Sequence, residues 1–530
     1  MAFGILEPRN VANPVDVPGT ATLEETRNND SDPFVKHAPG RPDLILVPTP
    51  SDDPCDPLNF SRARKEAAYL ALLGGTVLAG TCGPLVAPAF VQLASELDRP
   101  LSQISQLNGS LVLTIGVGSA VFAPIQRKWG TRPSFLIAAL FAFVSQIWAG
   151  ASKTNYPSLL AARAVQGLAM GCYFNNVPAA VDSLFFVHER GLRISLWNAC
   201  LVGGINLGPV ISAQIIQAQD WTYAFWWQSL ANGIVLLATV AFVPELIYDR
   251  SPYNAEVARR RELACPTSDK VSTEDKDAVL ASVVAAPASK WSAYRLYTGV
   301  KTDEPFWRIA IRPFFYVTSP VVIWATLTFS VCFNLLPLAA TVYSQIFSAP
   351  PYSLKVGSIG ILSGIPPLIG TIIGTVLSGP GSDWIAKAMA KRNNGIYEPE
   401  FRLITMSLFL VFGGMGFYGW GLQTSESWIV PAVFIAILHV GVSAATISCV
   451  GYVTDAMREG AGDALALVVL IKSCIMFGLT FMINDWYATR GPRQFFVSLG
   501  SLVVATSALV VPAWIFGKRA RLWFSQHNLL

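Results

Sequence analysis

Charge is what this chain has least of. Asp, Glu, Lys and Arg supply 14% of its 530 residues, against 52% hydrophobic residues. A soluble chain of this length spreads its charges along amphipathic helices, so their shortage excludes an ordinary soluble protein. There is no G-x-x-x-x-G-K-[ST] phosphate loop and no segment large enough for an ATP-binding domain, which excludes an ATP-driven pump. No filter-like pore loop is present, which argues against a channel. The eight cysteines have no metal-site spacing. Cys82, Cys172, Cys200, Cys332, Cys449 and Cys474 lie in apolar tracts, and Cys55 and Cys265 outside them, so all read as free thiols or packing residues. Neither metal nor cofactor is expected. No nucleophile–base pair stands at usable spacing, so enzymatic activity is not expected. No basic face interleaved with aromatics suggests a nucleic-acid partner. The first 65 residues are polar, rich in Pro and Asp, and lack the apolar core of a cleaved signal peptide. The first apolar tract is expected to act as the membrane-targeting signal.

What the chain has in quantity is apolar tracts. A helix needs about 20 apolar residues to cross the hydrocarbon core, and twelve tracts meet that length: 67–91, 103–126, 133–152, 156–181, 194–217, 223–244, 314–340, 356–379, 402–421, 428–452, 463–484 and 494–516. The predicted fold class is an all-α integral membrane protein with twelve transmembrane helices in two pseudo-symmetric six-helix bundles. Residues 1–65 form an N-terminal tail read as largely disordered, 66–244 the first bundle, 245–313 a polar linker, 314–516 the second bundle and 517–530 the C-terminal tail. The linker carries ArgArgArg at 259–261 and a Ser/Thr/Asp/Lys-rich run near 267–277, a composition of disordered or loosely helical chain. Of 38 Lys and Arg residues, only Arg163 and Lys472 fall deep in spans, and Arg99, Lys153, Lys355, Arg490 and Arg493 lie on the side opposite the N-terminus. The rest share the N-terminal side, which the positive-inside rule places in the cytosol together with the C-terminus. Two such halves joined by a linker are the layout of a secondary transporter, with substrate bound near the midplane between them.

Four segments carry a more specific signal. Between spans two and three stands Ala123-Pro-Ile-Gln-Arg-Lys-Trp-Gly-Thr-Arg-Pro133. Span four holds Leu160-x-x-Arg163-x-x-Gln166-Gly167, and span five Gly204-Ile-Asn-Leu-Gly208-Pro209-Val-Ile-Ser212. Between spans eight and nine come Gly379-Pro-Gly-Ser-Asp383 and Asn393-Asn-Gly-Ile-Tyr-Glu398-Pro-Glu400-Phe-Arg402-Leu403. On these residues, and from the AspProLeuAsnPhe segment at 56–60 to the last span, the chain resembles the major facilitator superfamily. The likeness is to its twelve-span drug:proton antiporter type, in a fungal subgroup of polyamine or cation transporters and secondary-metabolite exporters. The resemblance implies a gating role for the two loops, with Gly130 and Arg132 in the first and Gly379, Asp383 and Arg402 in the second. Arg127 stands where the family carries an acid that helps lock the two halves. Asp383 alternatively reads as a helix cap. Gly204, Gly208 and Pro209 match the antiporter signature, with Ser212 where glycine is usual. The glycines allow close helix contact and the proline bends its helix.

Arg163 and Lys472 are the deep charges, and an arginine at that depth costs about 2.5–3.5 kcal/mol on insertion scales. Arg163 either sits in a satisfied polar cluster with Gln166 or faces the transport pathway. Lys472 either snorkels to backbone or faces a water-filled cavity. His439 is a histidine that titrates near neutral pH or is held in a hydrogen bond. With Asn334 of the seventh span, these form the candidate substrate and coupling set. Trp197, Phe225, Trp226, Trp227, Trp324 and Tyr343 are candidates for an apolar cavity lining, for packing or for the interfacial belt. No span carries a central carboxylate to replace the water around a buried cation, which favours anionic or neutral amphipathic cargo. The leading expectation is a plasma-membrane exporter of a small organic compound by proton exchange, monomeric in the lipid bilayer. The vacuolar membrane is the second location. Uptake of a polyamine or other organic cation, and a non-transporting sensor, stay open as alternatives.

Overall fold

The structure, a computed structural model, describes residues 3–7, 17–22, 37–38, 41–45, 50–51, 53, 56–248, 294–423, 427–457 and 460–527. The triple-arginine run and the Ser/Thr-rich run lie outside the described residues. Eleven helical segments are long and apolar enough to span a bilayer; Tyr156–Leu184, diluted by Arg163, Gln166, Asn175 and Asn176, is the twelfth. The spans are α1 Arg62–Cys82, α2 Leu101–Trp129, α3 Thr131–Ala151, α4 Tyr156–Leu184, α5 Val187–Ala218 and α6 Trp221–Phe242, then α7 Pro320–Ser348, α8 Val356–Arg392, α9 Pro399–Leu422, α10 Ile429–Met457, α11 Ala461–Thr480 and α12 Ile483–His527.

Each half has its own buried core. One draws on residues such as Leu72, Leu111, Phe135 and Val177, the other on Phe329, Val342, Phe409 and Leu467. The halves meet along two seams, α2 against α11 and α5 against α8. Both seams are built on residues without bulk. At Gly364 of α8 an added Cβ would stand 2.3 Å from the Asn206 carbonyl oxygen of α5, and at Gly116 of α2 it would stand 2.7 Å from Ser473 Cβ of α11. With no hydrophobic force between helices in lipid, such close backbone approach is what holds them together.

The described ends of the chain meet at one face, the termini face, where Trp514 donates to the Phe3 carbonyl at 3.0 Å. Gly130, at φ 113°, makes the tight turn from α2 into α3 that favours glycine. The Glu245 carboxylate accepts hydrogen bonds from the Thr131 and Arg132 amides at 2.9 and 3.3 Å, and so caps the start of α3. The Arg132 guanidinium donates to the carbonyls of Val240, at 2.9 Å, and Val243.

The structure corrects several span edges. Helix α8 continues past 379 to Arg392, so Gly379–Asp383 is helix rather than loop. The chain turns instead at Asn394 and Gly395, both at positive φ. The end of the linker is also helical, as the amphipathic helix Phe306–Phe315, whose Phe306 stacks on Trp129 of α2 at 5.2 Å. The N-terminal tail, expected to be free, docks in two described stretches. Ala21–Thr22 pairs antiparallel with Ile396–Tyr397. The Leu6 amide donates to the Ile515 carbonyl at 3.0 Å, and Ile5 is buried beside Phe401.

Candidate functional site

Between the halves lies a cavity walled by α1, α2, α4 and α5 on one side and α7, α8, α10 and α11 on the other. Apolar side chains such as Leu111, Val112, Ile115 and Phe174 make most of its surface. A mostly apolar lining with a few placed polar groups is the character of a small-molecule site.

Lys472, Asn334 and His439 all line it, and the polar wall is completed by Asn108, Asn206 and Tyr343. Lys472 is 3% exposed. Its Nζ sits 3.7 Å from the centre of the Phe333 ring, a cation–π contact. Among the described residues no hydrogen bond or ion pair reaches that ammonium. The Asn334 amide nitrogen donates to the Lys472 carbonyl at 2.8 Å, which ties α7 to α11 at this level. The Asn108 Oδ1, Asn334 Oδ1 and Tyr343 hydroxyl are buried without a hydrogen-bond partner. His439 Nδ1 lies 2.8 Å from the Ile435 carbonyl oxygen, one turn back on its own helix.

Arg163 and Gln166 stand behind the wall. Arg163 is fully buried. It donates to the carbonyls of Cys82 and Gly83 at 2.8 Å each and to Gln166 Oε1 at 3.0 Å. Helix α1 ends at Cys82, so these carbonyls lack helical partners, and the guanidinium satisfies them. Gln166 passes the connection on to Ser145 O and Gln146 Oε1 of α3, both at 3.2 Å. The two residues thus hold the broken end of α1, whose Gly83 and Pro84 face the cavity.

The antiporter-like segment of α5 sits where α1, α5 and α8 converge. A Cβ at Gly204 would stand 2.4 Å from the Val77 carbonyl oxygen, and one at Gly208 3.0 Å from Thr81 Cα. Pro209 lines the cavity. Of the aromatic candidates, Tyr343 reaches the wall, joined by Phe174 and Phe333. Trp226 and Trp227 are 43% and 51% exposed, the placement of side chains turned toward lipid. Trp197 donates to the Tyr173 carbonyl at 3.2 Å and Trp324 to the Leu509 carbonyl at 2.8 Å.

At the termini face the gating candidates separate into two groups. Asp383 accepts from Arg402 Nη1 at 3.0 Å, while Arg402 Nε meets Asp455 at 2.5 Å and Tyr397 donates to the same carboxylate. Burial, and then the Asp455 charge, pushes the Tyr397 phenol up, so it stays protonated as a donor. This cluster lies wholly within the second bundle. Among the described residues, the ion pair that crosses between bundles is Arg127 of α2 with Asp463 of α11, at 3.1 Å. Sequence reasoning marked Arg127 as a departure and Asp463 as a span edge; the spacing along the chain gave no sign that they meet. Below Arg402, Glu398 and Glu400 are buried against Lys518 and Arg521, with ion pairs of 2.5 to 2.9 Å.

The opposite face is closed. Asn484, at the start of α12, donates to the Leu101 carbonyl at 3.3 Å and to Ser105 Oγ of α2, beside the α2–α11 seam. Gln217 Oε1 accepts from the Gly357 amide at 2.8 Å across α5–α8, and Ser344 donates to the Pro88 carbonyl at 3.1 Å. Toward the termini the α5–α8 seam loosens: a Cβ at Gly379 or Gly381 would meet nothing within 4 Å, and Leu192, Leu196 and Trp384 are exposed.

Two bundles with a void between them and a seam bonded at one end have the layout of a secondary carrier, whose site lies between its halves. The Major Facilitator Superfamily profile matches residues 72–480; the chain belongs to that family, and it is a transporter rather than an enzyme. It is 25% identical to an uncharacterized MFS-type transporter of Schizosaccharomyces pombe, over 96% of this chain and 93% of that protein. It is 24% identical to the efflux pump radE of Floropilus chiversii, over 89% and 83% of the two chains. Among solved structures, a D-xylose–proton symporter superposes with a TM-score of 0.57 at 15% identity, covering 87% of this chain and 99% of that one, a likeness of fold.

Proposed function

We propose that this transporter exports a small organic compound, a toxin or secondary metabolite, across the plasma membrane, with both termini in the cytosol and a proton moving inward in exchange. The observation that carries this reading is the placement of the antiporter-like segment. Gly204 and Gly208 bring α5 against α1, and Pro209 of the same turn faces the void. The relative named as an efflux pump supports the same direction. The conformation suits loading from the cytosol, since the far face is bonded shut while the α5–α8 seam loosens near the termini.

Lys472, Asn334 and His439 contact the cargo or the coupling proton. Asp182 and Asp455 pair with Arg190 and Arg402 away from the void. With both carboxylates paired away from the void, the exchange proton is assigned to the His439 imidazole at its wall. Arg163 and Gln166 position the end of α1. Gly130 and Arg132 hold the α2–α3 turn, and the Asp383–Arg402 cluster braces the second bundle, so that each bundle moves as a unit while Arg127–Asp463 latches them.

Transport into inside-out vesicles with an acidified lumen tests the reading. N-octanoyl-phenylalanine and spermidine serve as contrasting cargoes. Accumulation that collapses when the pH gradient is dissipated is expected. Spermidine instead leaving preloaded vesicles under the same gradient overturns export in favour of cation uptake.

A further inference from the structure

The central void has an electrostatic signature that narrows its cargo. Among the described residues lining it, Lys472 is the charged side chain, and no Asp or Glu joins it from any of the eight helices of the wall. The other titratable groups facing it are His439 of α10 and Tyr343 of α7. An ammonium taken out of water needs a partner. A phenyl face at 3.7 Å supplies part of that. A buried cation with one ring beside it is therefore left short of an anion.

Three further groups are left short of partners. Asn108 Oδ1 on the first bundle, and Asn334 Oδ1 and the Tyr343 hydroxyl on the second, are buried and unbonded. Asn334 has spent its amide nitrogen on the Lys472 carbonyl, so the amide orientation is fixed and its oxygen remains an acceptor. Buried polar atoms without partners are costly, and a site built to hydrogen-bond a ligand leaves such groups open until the ligand arrives. Asn206 and Ser363 are bonded to Thr371 and to the Gly360 carbonyl, and the rest of the wall is apolar.

We infer that the cargo is an amphipathic monoanion: one carboxylate-like group set against Lys472, an N–H or O–H donor directed at the Asn108 and Asn334 carbonyl oxygens, and an apolar body along Leu111, Val112 and Ile115. This rests on the reading of the void as the transport site. Both bundles supply a partner, so bound cargo draws α2 toward α7 and α11 and links occupancy to the seam. Arg163 takes no part, because its guanidinium is already committed to the end of α1. An anion leaving and a proton entering both move charge in the direction that an inside-negative potential favours, so such an exchange needs no further energy source.

The test uses the full chain, purified, with N-octanoyl-phenylalanine, the matching alcohol N-octanoyl-phenylalaninol, and the matching amine as probes in titration calorimetry. The carboxylate is expected to bind at least tenfold more tightly than the alcohol, with the amine weakest. Lys472→Met should erase that difference, its residual binding of the alcohol showing that it is folded, and Lys472→Arg should preserve it. Asn334→Leu should weaken the carboxylate and the alcohol alike, by about tenfold. Equal binding of carboxylate and alcohol, tighter binding of the amine, no binding of the carboxylate, or a preference that survives Lys472→Met overturns the inference. Vesicle flux separates the two readings. Selective binding without flux sinks the transport role of the site and leaves its anion preference standing, whereas flux of the alcohol without discrimination sinks the anion preference and leaves export standing.

Discussion

Arg163 shows how a deep charge is kept in a membrane protein at tolerable cost. Its donors meet the carbonyls that α1 leaves open where it stops at Cys82, so one side chain satisfies both the charge and the helix end. Replacement by leucine would leave the Cys82 and Gly83 carbonyls without partners, a loss of about 1–3 kcal/mol for each. Arg163→Leu is therefore expected to lower the melting temperature of the purified protein and its membrane yield, while Arg163→Lys recovers only part of both. A melting temperature unchanged by Arg163→Leu would reject this role. His439 gives a second prediction at this scale. If it carries the exchange proton, His439→Gln should leave downhill efflux of preloaded cargo running while abolishing its dependence on the pH gradient. A gradient dependence that persists assigns the proton elsewhere. Lys472, His439 and Asn334 were legible in the sequence because a polar residue inside an apolar run stands out. Asn108 and Tyr343 were not singled out by their polarity, since asparagine and tyrosine in a span read equally as packing or belt residues. The direction in which Arg163 points depended on a break in another helix, which no local pattern announces.

At the scale of elements, the seams decide how the bundles move. The α2–α11 seam ends at the termini face in Arg127–Asp463, where an arginine stands in place of the acid familiar in the superfamily. The attraction is kept with the arginine on α2 and the acid on α11. Arg127 is 40% exposed, so the contact is worth only about 0.2–1 kcal/mol. That amounts to an adjustable latch, a few-fold in the balance between states. Asp463→Arg should shift the protein toward the state open at the termini face by about threefold to fivefold, read as faster alkylation of a cysteine introduced on the cavity wall. Arg127→Asp combined with Asp463→Arg should return the rate toward its original value, and a double variant as fast as the single would dismiss the latch. The spans themselves were readable because apolar length is what a bilayer selects. Their ends were less so. Helix α8 runs on to Arg392 because its later turns, exposed at Trp384 and Lys387, carry the polar residues that elsewhere mark a loop. The docked tail escaped notice for a different reason: Ala21–Thr22 becomes a strand only because Ile396–Tyr397 offers an edge.

For the whole molecule, transport requires that the face closed here can open. Bonds that close it lie along both seams: Asn484 of α12 to Leu101 and Ser105 beside the α2–α11 seam, Gln214 and Gln217 to Gly357 across α5–α8, with Ser344 bonded to Pro88 and Val91 between them. None is charged, so the closure rests on shape at the glycine-lined seams and is reversible at modest cost. Covalent closure should then stop the cycle without disturbing either bundle, because each keeps its own core. Cysteines placed at Ser105 and Asn484, which already touch, are expected to form a disulfide under mild oxidation and to abolish vesicle accumulation of N-octanoyl-phenylalanine. Reductant should restore it. Calorimetric binding from the termini side should survive the cross-link, since the α5–α8 seam stays loose there. Transport that continues in the cross-linked protein would mean that cargo does not pass between α2 and α12 at this level, and the alternating-access cycle would need a different hinge. Binding lost along with transport would instead place the entrance to the void on the closed face, reversing the direction assigned to the carrier.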